Sequence, residues 1–115
     1  MFKFERLDVW RISLDLYRKI AVATGRLGRQ SQWTLGDQIR RAALSISANI
    51  AEGTGREGVR ESKQFFNIAK GSTYEVVSIA YILREEGLLQ EAVFSEIYSQ
   101  CARIARMLSA MIAKR

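Results

Sequence analysis

The chain has no proline in 115 residues, and most of its eight glycines stand in three groups: Gly25 with Gly28, Gly53 with Gly55 and Gly58, and Gly87 alone. Proline and glycine are the residues that interrupt helices, so their placement marks out four long stretches with little inside them to break one. Within each stretch apolar residues recur at alternating spacings of three and four, the period of helices packed side by side. Helices are predicted over about residues 5–24, 35–52, 58–86 and 91–114. Thr34 is placed to cap the second, with Asp37 three residues on in the capping-box position, and Gly53 to close it as a left-handed cap. The connections between helices are short, so successive helices must be antiparallel neighbours. The expectation is an all-α, up-down-up-down four-helix bundle forming a single domain over residues 1–115.

Two of the helices carry more apolar surface than one bundle can hide. The first has Leu7, Trp10, Leu14, Tyr17 and Ala21 on one stripe and Val9, Ile12, Leu16, Ile20 and Ala23 on the next. The third has Phe66, Ala69, Thr73, Val76, Ala80 and Leu83, with Phe65, Ile68, Ile79 and Ile82 beside them. A bundle buries one face per helix, so the second face calls for further copies of the chain, and a homo-oligomer is expected. The fourth helix has a single stripe that includes Cys101, read as a small core residue rather than a reactive thiol.

Histidine is absent and Cys101 is the one cysteine. Zinc sites, Ser-His triads and Cys-His pairs are thereby excluded, no cofactor is implied, and the chain is read as non-enzymatic. The only carboxylates placed to meet beneath a polar face are Glu52 and Glu75, and no metal-ligand spacing or phosphate loop accompanies them. The lone cysteine agrees with a reducing compartment, and no apolar run approaches the roughly 20 residues needed to cross a bilayer. A cytoplasmic protein with no membrane partner is expected.

Eighteen Lys and Arg against twelve Asp and Glu give a net charge of +6, which favours polyanionic partners such as RNA or DNA. The charge is uneven: Arg18, Lys19, Arg26, Arg29, Arg40 and Arg41 face only Asp37 between residues 18 and 41. They are the candidate nucleic-acid contacts, at one end of the bundle, where Glu85, Glu86 and Glu91 would cancel part of their charge. Arg56, Arg60, Lys63, Lys114 and Arg115 make a second basic group at the opposite end.

The stretch Ser45-Ile46-Ser47-Ala48-Asn49-Ile50-Ala51-Glu52-Gly53 sets polar groups into an otherwise apolar helix. At helical spacing Gln38, Ser45, Asn49 and Glu52 share one flank, and Ser72 and Glu75 offer similar groups on the third helix. Small residues around them let helices approach, and interhelical hydrogen bonding is the expected role of this line.

Several runs carry a resemblance: Phe4-Glu5-Arg6-Leu7-Asp8-Val9-Trp10, Gln38-Ile39-Arg40-Arg41-Ala42-Ala43, Ser45-Ile46, Asn49-Ile50-Ala51-Glu52-Gly53, and Ile68-Ala69-Lys70-Gly71-Ser72 with Glu75. Together they resemble the four-helix-bundle family named after proteins encoded in intervening sequences of bacterial 23S rRNA genes, from residue 4 to about residue 112. The family is similar to the accessory protein of diversity-generating retroelements, a basic pentamer that binds RNA and a reverse transcriptase. The resemblance thus implies a bacterial homopentamer with RNA, DNA or a reverse transcriptase as candidate partners. The alternative is a protein-protein adaptor that touches no nucleic acid. The chain departs from the family pattern at Arg29-Gln30 and Trp33, where a Phe-Pro pair and a tyrosine are usual, and at Thr73, where leucine is common.

Overall fold

A computed structural model describes residues 1–114 and contains four long helices, with no strand among the described residues. A short 3₁₀ turn, Lys3–Arg6, leads into α1, Asp8–Thr24. Helix α2 is composite: a first turn Arg29–Ser31, a π turn Gln32–Gly36, and a regular segment Asp37–Thr54. Helices α3, Val59–Glu85, and α4, Glu91–Ala113, complete the fold. At 27 residues α3 is about 40 Å long, and it accounts for most of the 43 Å long axis of the molecule. No helix of the described residues is long and apolar enough to cross a membrane.

The buried apolar residues form one cluster to which every helix contributes: Leu16 and Ile20 from α1, Ile39, Ile46 and Ile50 from α2, Val76 and Leu83 from α3, and Ile97, Ile104 and Leu108 from α4. Ser13, Thr24 and Thr73 are buried among them. Each hydroxyl donates to a carbonyl of its own helix, Ser13 to Trp10 at 2.6 Å, Thr24 to Ile20 at 2.8 Å and Thr73 to Ala69 at 2.8 Å, so none is buried unpaired. The double stripes are treated unequally. On α1 the stripe of Trp10, Leu14 and Tyr17 is half-buried. On α3 Ile79 joins the core, whereas Ile68 and Ile82 remain 52% and 45% exposed.

Two expected helix ends are corrected. The second helix begins at Arg29 rather than Leu35, because Gly28 is the last extended residue before it and Gly36 takes a helical conformation within it. Thr34 does not cap it: its hydroxyl donates backwards to the Gln30 carbonyl at 3.0 Å, inside the helix. Gly53 is not a left-handed cap but a helical residue at a close approach. A Cβ there would stand 2.5 Å and 2.8 Å from two carbons of the Phe66 ring. The left-handed glycine is Gly87, at φ +75°. It ends α3 with the Leu88 N–H donating to the Leu83 carbonyl at 2.8 Å and the Gly87 N–H to Arg84 at 3.0 Å, the paired bonds of a Schellman motif.

Cys101 lies in the core at 1% exposure, and burial pushes its thiol from an ordinary 9.0 up to about 12. The unfolded thiol ionises near pH 9 while the buried one keeps its proton. Stability from this site is therefore intact below pH 9 and is lost as pH rises towards 12, by about 1.4 kcal/mol per pH unit. Chemical denaturation of the parent and of Cys101→Ala across this range should show the difference between them changing above pH 9; a constant difference would show that the thiol does not titrate differently on unfolding. At neutral pH the native thiol should resist alkylation that the unfolded chain undergoes.

Candidate nucleic-acid interface

The six cations picked out between residues 18 and 41 do not form one patch. Arg18, Lys19 and Arg26 line a groove of about 360 Å³ that runs between α1 and α4, with Val22, Ala23 and Val93 on its floor and Asp15 and Glu96 also on its walls. Lys19 is 3.7 Å from Glu96. The expected counter-charges, Glu85 and Glu91, are instead 3.7 Å and 3.6 Å from Arg84, whose guanidinium lies over the rings of Tyr81 and Phe94. Arg18, Arg26 and Arg29 are exposed and form no ion pair with the described residues.

Arg40 and Arg41 belong to a second groove, of about 390 Å³, lined with Gln32, Trp33 and Asp37. Their roles differ. Arg41 is exposed and is 3.0 Å from Asp37, one turn back. Arg40 is half-buried and turned inward: one guanidinium nitrogen donates to the Thr24 hydroxyl at 2.8 Å and the other to the Gln32 carbonyl at 3.3 Å. It fastens the end of α1 to the π turn, and Gly36 makes room for it, since a Cβ there would come within 3.2 Å of the guanidinium. Nothing in the pattern of charges distinguishes Arg40 from its exposed neighbour; the glycine four residues before it is the one available signal.

At the other basic group, Arg56 donates to Glu52 at 2.7 Å and lies over the Phe65 ring at 4.8 Å. Arg60 and Lys114 are exposed and Lys63 is half-buried. Arg115 lies outside the described residues.

The polar line on α2 fastens two helices at one point only. Ser45 and Ser72 share a hydrogen bond of 2.8 Å between α2 and α3. Asn49 supports it from within α2, donating to the Ser45 carbonyl at 2.8 Å and to its hydroxyl at 3.0 Å. Glu52 turns to Arg56, and Gln38 and Glu75 are exposed with no side-chain hydrogen bond to the described residues. Within this polar line, interhelical bonding is thus confined to the pair of serines, because Gln38, Glu52 and Glu75 project to solvent. Glu52 sits beside Gly53 at the level of Phe66, nine residues before Glu75 on α3, so the two carboxylates are separated by about 13 Å along the helix. No group of His, Cys, Asp or Glu among the described residues is arranged to hold a metal ion.

The profile of a family described as 23S rRNA-intervening sequence protein matches residues 5–110. A crystal structure from Bacteroides thetaiotaomicron, described as a protein with unknown function from the S23 ribosomal protein family, superposes with a TM-score of 0.83. It is 21% identical over 92% of this chain and 99% of its own, a likeness of fold. Among curated proteins, none matches.

Proposed function

From the premise that this chain belongs to the family of 23S rRNA-intervening sequence proteins, we propose that it is a non-enzymatic, cytoplasmic, homo-oligomeric helical bundle that binds RNA or DNA phosphates without reading base sequence. The observation that carries this reading is the set Arg18, Arg26 and Arg29, exposed cations with no ion pair to the described residues in a chain of net charge +6. Contacts of this kind attach to phosphate through charge and carry no sequence information. An up-down-up-down course gathers them at one end. It is supported by Ser45 meeting Ser72 and Gly53 meeting Phe66 on α2 and α3, and by Lys19 meeting Glu96 while Val9 lies beside Met107 on α1 and α4, pairs in which one number rises as the other falls.

Assembly is supported by two exposed apolar flanks of α3, Ile68 with Ile82 on one and Tyr74, beside Tyr98 of α4, on the other, surfaces of the kind that other copies cover. The family resemblance implies five copies. A ring would repeat the basic end around an axis, so that several modest patches act together on one polyanion.

Binding of labelled RNA and duplex DNA, measured at 50 and 200 mM salt, tests the charge. With three phosphates neutralised by one copy, affinity should fall roughly 20- to 40-fold between the two, and more steeply where several copies engage one strand. Changing Arg18, Arg26 and Arg29 together to Glu should abolish most of the binding while leaving helicity unchanged. Weak binding that the triple variant retains in full would overturn the proposal in favour of a protein adaptor. Light scattering that gives the mass of one chain, 13.1 kDa, would remove the oligomer.

A further inference from the structure

Trp33 is the most exposed large hydrophobic residue beyond the first residue of the chain, with 77% of its surface in solvent. It stands in the π turn, where the extra residue per turn lifts it off the packed face. Such turns are uncommon and concentrate at functional sites. An exposed indole is ordinarily a cost in solubility, and a chain retains one most readily where a partner uses it.

The backbone under this indole is pinned. Gln32, its neighbour, donates from its side chain to the Leu27 carbonyl at 2.8 Å, and its own carbonyl accepts from Arg40. Thr34, on the other side, donates to the Gln30 carbonyl. Arg40 carries the tie on to Thr24 in α1. A bare aromatic plane is therefore held on a fixed base, beside a groove of about 390 Å³ whose other walls are Gln32, Asp37, Arg40 and Arg41. Arg29, exposed and in no ion pair with the described residues, precedes it by four positions on the same helix.

From this juxtaposition we infer that Trp33 is a stacking platform for an unpaired nucleobase, with Arg29 and Arg41 meeting the flanking phosphates, so that the chain prefers single-stranded nucleic acid to duplex. The inference rests on the nucleic-acid reading above and narrows it. In a duplex both faces of each base are already covered, whereas an unpaired base offers a free face to an aromatic ring. Arg41 is held beside the indole by Asp37, whose charge tempers attraction to phosphate without blocking the ring. The Gln32 side chain is committed to Leu27, and no hydrogen-bond code for a particular base is implied.

The test uses the full chain with short oligouridine, oligothymidine and a duplex of the same length. Trp33→Ala should weaken binding of both single strands by about fivefold to a hundredfold, Trp33→Tyr should restore most of it, and duplex binding should change less than twofold. Because Trp10, half-buried and packed on Phe4, is the one other tryptophan, a Trp10→Phe chain reports on Trp33 alone. Its fluorescence should be quenched by the single strands and not by the duplex. The relative response to oligouridine and oligothymidine separates RNA from DNA as the source of the base.

Single-strand binding that is salt-sensitive but unaffected by Trp33→Ala overturns this inference and leaves the broader one standing. A parent chain that binds no polyanion overturns both. A change of particle mass on Trp33→Ala would make the indole a contact between copies, and would also overturn it.

Discussion

Ile46→Ala should destabilise the chain by about 2–5 kcal/mol, seen as a lower midpoint of denaturation with an unchanged slope. Ile46 is fully buried at the middle of α2, one residue from the serine that bonds across to α3. The tie holds the two helices at their spacing, so the space vacated by the side chain cannot close by sliding them together. A domain of this size has roughly 5–15 kcal/mol in all, and the variant loses a large part of it. Ile68→Ala provides the contrast. Half-exposed on a single chain, this residue should cost about 0.5 kcal/mol or less if nothing covers it. A larger cost that depends on protein concentration would be the mark of a second copy seated there. An Ile46→Ala loss below about 1 kcal/mol would mean that the centre of the fold is not packed as described.

Gly53→Ala should destabilise by about 1–2 kcal/mol, against the usual direction for glycine in a helix. Alanine ordinarily gains up to about 1 kcal/mol at such a position. Here the added carbon would lie 2.5 Å from a ring carbon of Phe66, itself largely buried, and forcing the ring aside costs about 1–3 kcal/mol or more. The two effects have opposite signs, and the second is the larger. Phe66→Leu removes the colliding ring. Alone it leaves space and lowers stability, but combined with Gly53→Ala it should lose less than the two changes separately, by about 1 kcal/mol of favourable coupling. Gly53→Ala at or above parental stability would refute the close approach of α2 and α3 at this level.

The long helices were legible because periodicity and breakers agreed. Helices α3 and α4 lie within a residue of the predicted ends, and their stripes enter the core. The start of α2 was misread because Thr34 and Asp37 have the spacing of a capping box, and spacing alone does not say whether a hydroxyl turns forwards to a free N–H or backwards to a carbonyl. Gly53 looked like a cap because glycine near a helix end usually is one. Its true constraint is a ring on another helix, a distance no local pattern records. Ser13 and Thr24 are core residues outside the apolar stripes, and both continue the spacing of Val9, Leu16 and Ile20.

The candidate site was less legible, for a related reason. Charge runs along α1 and α2 can be counted in the chain, but Glu96 arrives across the packing from α4, and it pairs with Lys19. Arg40 and Arg41 are adjacent in sequence and point to opposite uses, because one hundred degrees of helix separates a solvated side chain from one that reaches Thr24. In the sequence Trp33 is only a departure from the family pattern; its bareness belongs to the three-dimensional form.

The surplus residue in Gln32–Gly36 also behaves as slack in the helix. A π turn takes up roughly one residue more than an α turn, so removing one codon from that stretch would let it close to an ordinary turn with Arg29 and Asp37 near their present bearings. What the deletion takes away is the bulge itself, and with it the outward step on which the indole stands. The same slack lets this corner absorb a gain or loss of one residue while Asp37–Thr54 keeps its register in the core.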